Sequence, residues 1–295
     1  MSAAVLAGNA HPALAREIAR ETGLPLLEAS ISSFADGETQ VRILQRVRGL
    51  DLYVVQPTSA PSNERLMALA LIADAARADG AARITAIVPY FGYARQDVRH
   101  QPGEPRSAQL AARILAAAGV DRAITLELHS PALESAFPMP LTDLRADALL
   151  VPLVRAPRCT VVSPDAGGMK RAQRYAAALG APLAAVAKRR TGTDLAEALQ
   201  VLGEVRGQPC LIVDDMASTG RTVAGAAQAL AAAGAAQVHA LFVHAVMAPG
   251  ALERMRAAGV RRVVTTDSVG PVAAPGVEVA ATAPLFAAAL KEALA

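Results

Sequence analysis

Aromatic residues and cysteines are scarce in this chain of 295 residues, and each scarcity argues against a class of protein. Aromatics make up 3% of the sequence and tryptophan is absent, so few flat side chains are present to stack on nucleobases. We therefore expect no nucleic-acid partner. The two cysteines, Cys159 and Cys210, each open an apolar, strand-like run, which predicts buried, reduced thiols and neither a disulfide nor a metal pair.

Long apolar runs are missing as well. Apolar residues form 53% of the chain, yet nowhere do about 20 of them follow one another without interruption. This pattern predicts a soluble protein with no membrane partner. Residues 1–8 do not show the basic stretch followed by a long apolar core that marks a signal peptide, and they are typical of a first strand. We therefore expect a cytoplasmic location. The net charge of +3 is scattered and suits a small anionic substrate.

Short apolar runs alternate with alanine-rich stretches along the whole chain. This alternation predicts an α/β fold in which mainly parallel sheets are flanked by helices. The length suits two domains of about 150 residues each, and both halves contain a similar number of strand-helix units. We expect two similar domains, residues 1–146 and 147–295. The predicted strands include residues 52–55, 84–88, 123–126, 159–162, 183–187, 210–213, 238–243 and 263–265.

The most informative segment is residues 210–222. A short apolar run stops at Asp214 and Asp215, and a hydroxyl-rich loop, Ser218–Thr222, then leads into an alanine-rich stretch. Amides at the start of a helix are unpaired and partly positive, so this loop suits a phosphate group. The two acids suit adjacent hydroxyls of a sugar phosphate, or Mg²⁺. The alternative is an ordinary helix cap without a ligand.

A second loop of the same kind follows the apolar run that ends at Val162. Asp165 is a candidate cation ligand, and Gly167 and Gly168 let backbone amides approach a ligand closely. Taken alone, this segment also fits a plain turn with a capping aspartate. Two phosphate-type loops in one domain favour a ligand that carries two separate phosphate groups.

Loops of the first half concentrate aromatic, acidic and basic residues. Residues 32–38 and 89–97 offer aromatic faces and acceptors suited to a purine, and Arg95 and Gln96 could reach a polyphosphate. His129 follows another strand, and it could be either a structural residue or a metal ligand. Lys188 and Arg190 follow a predicted strand, either in a solvated turn or in a mobile loop that closes over phosphoryl transfer.

Three segments together resemble the ribose-phosphate pyrophosphokinase family: residues 93–97, 162–168 and 214–222. The resemblance extends over nearly the whole chain, whereas a salvage phosphoribosyltransferase resembles only the last segment. It implies two domains of the phosphoribosyltransferase type. It also implies transfer of the β,γ-diphosphoryl group of MgATP to the C1 hydroxyl of ribose 5-phosphate, which gives 5-phosphoribosyl 1-diphosphate and AMP.

The resemblance also implies a role for each matching residue. Lys188 and Arg190 would be catalytic, and His129 and Asp165 would bind Mg²⁺. The nucleotide would be bound by Phe34, Asp36, Gly37, Glu38, Arg95 and Gln96, in sites that subunits of a homo-oligomer share. Ribose 5-phosphate would be bound by Arg190, Asp214, Asp215, Ser218, Thr219, Gly220, Arg221 and Thr222, and pyrophosphate by Asp165, Ala166, Gly167 and Gly168.

Three positions depart from the family pattern. Arg221 stands where glycine is usual, which would cost on the order of 1 kcal/mol if its φ were positive. Glu127 replaces an aspartate near His129, and residues 99–106 are more similar to the phosphate-independent branches of the family, which leaves control by phosphate and ADP open. Two other functions stay open: a regulatory paralogue without turnover, and a phosphoribosyltransferase.

Overall fold

The computed structural model describes residues 2–99, 101–154, 159–190, 197–272 and 274–294, without the side chains of residues 188–190, 197 and 198. The chain divides into two compact units. Unit 1 contains Met1–Arg145, Ser268–Pro271 and Ala281–Ala295, and unit 2 contains Ala146–Asp267 and Val272–Ala280.

Unit 1 contains a seven-stranded sheet with the order β3-β2-β1-β4-β5-β6-β7. All neighbouring strands are parallel except the edge pair β2 and β3. Its elements are β1 (Ala3–Ala7), α1 (Pro12–Thr22), β2 (Leu26–Ser33), β3 (Thr39–Ile43), β4 (Asp51–Val55), α2 (Ser62–Ala78), β5 (Arg83–Val88), α3 (Ser107–Ala117), β6 (Arg122–Leu126), a 3₁₀ helix (Pro131–Ala136) and β7 (Leu141–Leu144).

Unit 2 repeats this arrangement with the order β10-β9-β8-β11-β12-β13-β14, and only β9 and β10 are antiparallel. Its elements are α4 (Asp147–Leu150), a 3₁₀ helix (Val151–Val154), β8 (Thr160–Ser163), α5 (Met169–Leu179), β9 (Leu183–Arg190), β10 (Glu197–Leu202), β11 (Pro209–Met216), α6 (Arg221–Ala232), β12 (Gln237–His244), α7 (Ala251–Ala257), β13 (Val260–Thr266) and β14 (Val277–Ala280). The predicted fold class, two similar α/β domains, is confirmed.

Central strands are buried on both faces because helices cover the sheets. In β4 and β8 every residue is buried, as their continuous apolar runs predict. The strands absent from the prediction lie at or near the edges: β2, β3, β7, β10 and β14. Their faces are part exposed, so their sequences mix polar and apolar residues and lack a clear apolar run.

The last helix, α8 (Ala283–Leu294), packs against α1 and is therefore part of unit 1. The sequence-based division placed residues 147–295 together in the second domain, and the structure differs from it at this helix. The chain first changes units between Arg145 and Ala146. α8 joins unit 1 because it packs against α1, and no local sequence pattern predicts this contact between distant segments.

Both cysteines are buried free thiols, as predicted. Burial raises the pKa of Cys159 above its usual value and that of Cys210 to about 11, so both thiols stay protonated at neutral pH. Within the described ranges, each helix is too short or too polar to cross a bilayer.

Candidate functional site

The first candidate loop, called the Ser218 loop (residues 217–222), connects β11 to α6. Gly220 adopts a left-handed conformation with φ of 72° just before the helix begins at Arg221. A Cβ atom at Gly220 would lie 2.7 Å from the carbonyl oxygen of Ala251, so the position requires glycine for space as well as for backbone shape. Arg221 is helical, and the cost considered for a side chain there at positive φ does not arise.

The second candidate loop, called the Asp165 loop (residues 164–168), connects β8 to α5. Asp165 accepts a hydrogen bond from the Gly168 amide at 3.0 Å, and the Ser163 hydroxyl donates to the Asp165 carbonyl oxygen at 2.7 Å. A Cβ at Gly168 would lie 2.8 Å from Ser163 Oγ. The loop therefore folds tightly on itself, with Gly168 buried and Gly167 exposed at its surface.

The two loops line one cavity of about 770 Å³, a volume typical of small-molecule sites. Because β8 and β11 are parallel neighbours, their carboxyl ends place both loops at the same edge of the sheet. The cavity wall consists of Pro164, Asp165, Ala166 and Gly167 from one loop, Arg221 and Thr222 from the other, Gly225 of α6, and Val186, Ala187 and Leu199 of β9 and β10. Both phosphate-type loops therefore border one space.

Asp214 and Asp215 are both buried at the end of β11. The guanidinium of Arg171, itself about one-tenth exposed, lies 3.8 Å from Asp214 Oδ1 and 3.7 Å from Asp215 Oδ1. Burial, followed by the charge and hydrogen bonding of Asp215, raises the pKa of Asp214 well above its usual value, and Arg171 opposes that rise. One cation therefore stabilises the charge of two adjacent acids.

Arg171 is the site residue that sequence reasoning missed. It lies in the first turn of α5, directly after the Asp165 loop. A signal was present, because a buried acid pair needs a cation and Arg171 follows the neighbouring strand. Its pairing with Asp214 and Asp215 was not predictable without the packing of α5 on β11.

The backbone of residues 188–190 lies within β9, which continues through Arg190 and pairs with β10. The prediction that Lys188 and Arg190 follow the strand in a turn or mobile loop is therefore wrong for their backbone. Pairing with β10 satisfies backbone groups that a loop would leave to water, and it lengthens the strand beyond its apolar run. The rest of the predicted loop, residues 191–193, lies outside the described residues.

In unit 1, the segment after β5 carries Arg95 and Gln96, both exposed. Side-chain hydrogen bonds connect this segment to neighbouring parts of unit 1. The hydroxyl of Tyr93, a residue with φ of 65°, donates to Asn63, and the Ser130 hydroxyl donates to Asp97 at 2.6 Å. These contacts anchor the residues on either side of Arg95 and Gln96, and the Gln96 side chain itself accepts a hydrogen bond from the Ser107 hydroxyl.

The candidate adenine-binding residues occupy the loop of the β2-β3 hairpin. The Phe34 amide donates to the Glu38 carbonyl at 2.8 Å, and the Glu38 amide donates to Asp36 at 3.1 Å. Gly37 has φ of 92°, as this turn requires. Phe34 is 51% exposed, which is a large apolar surface at the tip of a hairpin.

His129 is exposed, while the acids beside it are not. Glu127 is fully buried at φ of 47°, and Arg145 lies 3.8 Å from its carboxylate and 3.3 Å from that of Asp143. Burial raises the pKa of Asp143 to about 6. The glutamate that departs from the family pattern is thus a member of a buried charge cluster.

The described residues contain no group of three or more His, Cys, Asp or Glu side chains suited to a metal ion. The two predicted ligands, His129 and Asp165, belong to different units. Asp165 is exposed and lines the cavity, and its carboxylate is an oxygen ligand of the kind that Mg²⁺ prefers.

Comparison with known proteins agrees with this geometry. A model of the N-terminal domain of ribose phosphate pyrophosphokinase matches residues 3–119, and a phosphoribosyl transferase domain model matches residues 153–278. The chain is 43% identical over 274 residues to the ribose-phosphate pyrophosphokinase of Burkholderia pseudomallei, covering 90% of this chain and 85% of that one. It is 40% identical to that of Chromobacterium violaceum, covering 97% and 90%.

A solved structure is similar over the full length. The phosphoribosylpyrophosphate synthetase of Mycobacterium smegmatis superposes with a TM-score of 0.93 at 35% identity, covering 100% of this chain and 99% of that one. The similarity therefore extends over both units.

Proposed function

The chain belongs to the ribose-phosphate pyrophosphokinase family and is a diphosphotransferase of that type, and we propose the following roles for its residues. The reaction transfers the β,γ-diphosphoryl group of ATP to the C1 hydroxyl of ribose 5-phosphate, giving 5-phosphoribosyl 1-diphosphate and AMP. The observation that supports the assignment of roles is the cavity of about 770 Å³ that both phosphate-type loops line.

The Ser218 loop binds the 5-phosphate of the sugar. Its amides and hydroxyls, from Ser218, Thr219, Gly220 and Thr222, suit a phosphate dianion, and Arg221 at the cavity wall adds a cation. Asp214 and Asp215 accept hydrogen bonds from the ribose hydroxyls. The Asp165 loop binds the diphosphate, because Ala166, Gly167 and Gly168 let oxygens approach the backbone.

Catalysis consists of alignment and charge neutralisation, without a covalent intermediate. The C1 hydroxyl attacks the β-phosphorus, the bond to the α-phosphate oxygen breaks, and AMP leaves. The backbone of Lys188 and Arg190 belongs to β9, close to Ala187, which lines the cavity. These two residues neutralise negative charge on the transferred group. Asp165 and His129 are the candidate ligands of Mg²⁺, which supplies positive charge to the phosphate oxygens when bound.

ATP binding uses residues of unit 1. Arg95 and Gln96 bind its phosphates, and Phe34, Asp36, Gly37 and Glu38 bind adenine. The exposed hairpin tip favours a homo-oligomer in which this loop completes the nucleotide site of a neighbouring subunit. We also propose a cytoplasmic location, where both substrates are found.

Product analysis tests the function. Purified protein with MgATP and ribose 5-phosphate is expected to form AMP and 5-phosphoribosyl diphosphate, and Lys188→Ala is expected to lose that activity while it keeps its fold by circular dichroism. A regulatory paralogue would bind ATP without turnover. A phosphoribosyltransferase would instead consume 5-phosphoribosyl diphosphate and a nucleobase without ATP.

A further inference from the structure

The first three carbonyl groups of the Ser218 loop, those of residues 217–219, accept hydrogen bonds from one neighbouring segment, residues 247–254. The Met247 amide donates to the Ala217 carbonyl at 2.8 Å, and the Ala248 amide donates to the Ser218 carbonyl at 2.9 Å. The next carbonyl, that of Thr219, accepts from the Arg254 guanidinium on α7. Three consecutive carbonyls are therefore held from the side of α7.

This arrangement fixes the direction of the loop amides. In a planar trans peptide the N–H group points opposite to the preceding carbonyl. Because the carbonyls of residues 217–219 point towards the α7 side, the amides of Ser218, Thr219 and Gly220 point the other way. In the described part of the chain no backbone group accepts a hydrogen bond from these three amides. They form a row of donors suited to a phosphate.

The three bonds differ in kind. Two of them join backbone to backbone, and only the bond to Thr219 comes from a side chain, that of the exposed Arg254. The Thr219 peptide is also the last one before Gly220, where the backbone turns into the left-handed conformation that starts α6. Without Arg254 this peptide plane would lose its external contact to α7 and could rotate.

We propose that Arg254 is a positioning residue for the ribose 5-phosphate site: by holding the Thr219 carbonyl, it keeps the Gly220 amide aimed at the 5-phosphate. This inference rests on the proposed role of the Ser218 loop. Groups held in the bound geometry before the ligand arrives lower the entropic cost of binding. Arg254 thus acts through the backbone and not by contact with the substrate.

Arg256 provides a matched control on the same helix. It is also exposed and also donates its guanidinium to a backbone carbonyl, that of Pro275, which is remote in sequence from the Ser218 loop. Arg254→Ala and Arg256→Ala therefore remove the same group and the same kind of bond. Only the first is expected to alter the substrate site.

Steady-state kinetics with MgATP and ribose 5-phosphate is the first test. We expect Arg254→Ala to raise the KM for ribose 5-phosphate about fivefold to tenfold, the size of one net hydrogen bond in a protein. The KM for ATP should stay within about twofold, and Arg254→Lys, which keeps a donor, should recover most of the loss. Arg256→Ala should behave as wild type. An unchanged KM for ribose 5-phosphate in Arg254→Ala would overturn the proposal.

Amide hydrogen exchange in the substrate-free protein separates positioning from simple charge. Faster exchange in the peptide that contains residues 217–222, in Arg254→Ala and not in Arg256→Ala, supports positioning. A raised KM with unchanged exchange would overturn it in favour of direct electrostatic attraction. If the wild-type protein forms no product from ribose 5-phosphate, the proposed function fails, but the exchange result still decides whether Arg254 orders the loop.

Discussion

Replacement of Arg171 by methionine tests the charge balance at the centre of the site. Arg171 is about one-tenth exposed and lies 3.7–3.8 Å from two buried carboxylates. At an effective dielectric constant of about 20, each contact is worth roughly 4 kcal/mol of attraction, partly offset by desolvation. Removal of one partner from a buried ion pair typically costs about 3–5 kcal/mol, so we expect Arg171→Met to lose that much unfolding free energy at pH 8.

The loss should depend on pH with a definite sign. The pKa of Asp214 is already raised in the folded protein by burial and by Asp215, and loss of the Arg171 cation raises it further. A carboxyl group with a folded pKa above its unfolded pKa favours the folded state at low pH, and this contribution disappears as pH rises through the folded value. The deficit of Arg171→Met should therefore grow as pH rises.

Urea denaturation at pH 5 and pH 8 measures this difference, and the same helix supplies the control. Arg174 pairs with Asp147 at 3.0 Å, and both side chains are about one-third exposed. Arg174→Met should therefore cost no more than about 1 kcal/mol and show little pH dependence. If Arg171→Met loses less than about 1 kcal/mol at pH 8, or shows the same loss at both pH values, the buried acids do not depend on Arg171.

Three other changes have defined outcomes. Gly220→Ala should lose about 1–3 kcal/mol of unfolding free energy and bind ribose 5-phosphate weakly, because its Cβ would lie 2.7 Å from the Ala251 carbonyl oxygen at positive φ; thermal unfolding and KM measure both. Burial raises the pKa of Asp143 to about 6, so this group should lower the unfolding free energy of the wild type by about 2–3 kcal/mol between pH 4 and pH 7. In urea titrations, Asp143→Asn should reduce this dependence of the unfolding free energy on pH. Phe34→Ser removes an exposed aromatic side chain of the hairpin and should raise the KM for ATP without lowering the melting temperature. An unchanged KM for ATP would show that Phe34 does not bind the nucleotide.

Much of unit 2 could be predicted from sequence because its central strands are buried on both faces. Such strands read as continuous apolar runs, and the residues that follow them, Asp165 and Ser218 among them, then lie at one edge of a parallel sheet. The shared cavity follows from this rule. The local chemistry and the sheet topology therefore indicate the same site.

The remaining features depend on contacts between distant segments. Arg171 acquires its role only when α5 packs so that its first turn faces the end of β11, and Arg254 only when α7 reaches the Thr219 carbonyl. The strand through Arg190 is longer than its apolar run because β10 pairs with it. None of these contacts leaves a periodic signal in the sequence.

The measurement that tests the assigned reaction most directly is ³¹P NMR of a reaction containing MgATP and ribose 5-phosphate. We expect signals of AMP and of the diphosphate at C1 of ribose 5-phosphate to grow in equal amounts as the ATP signals decline, and to be absent with Lys188→Ala. Appearance of ADP or inorganic phosphate without a diphosphorylated sugar would contradict transfer of the β,γ-diphosphoryl group by this site.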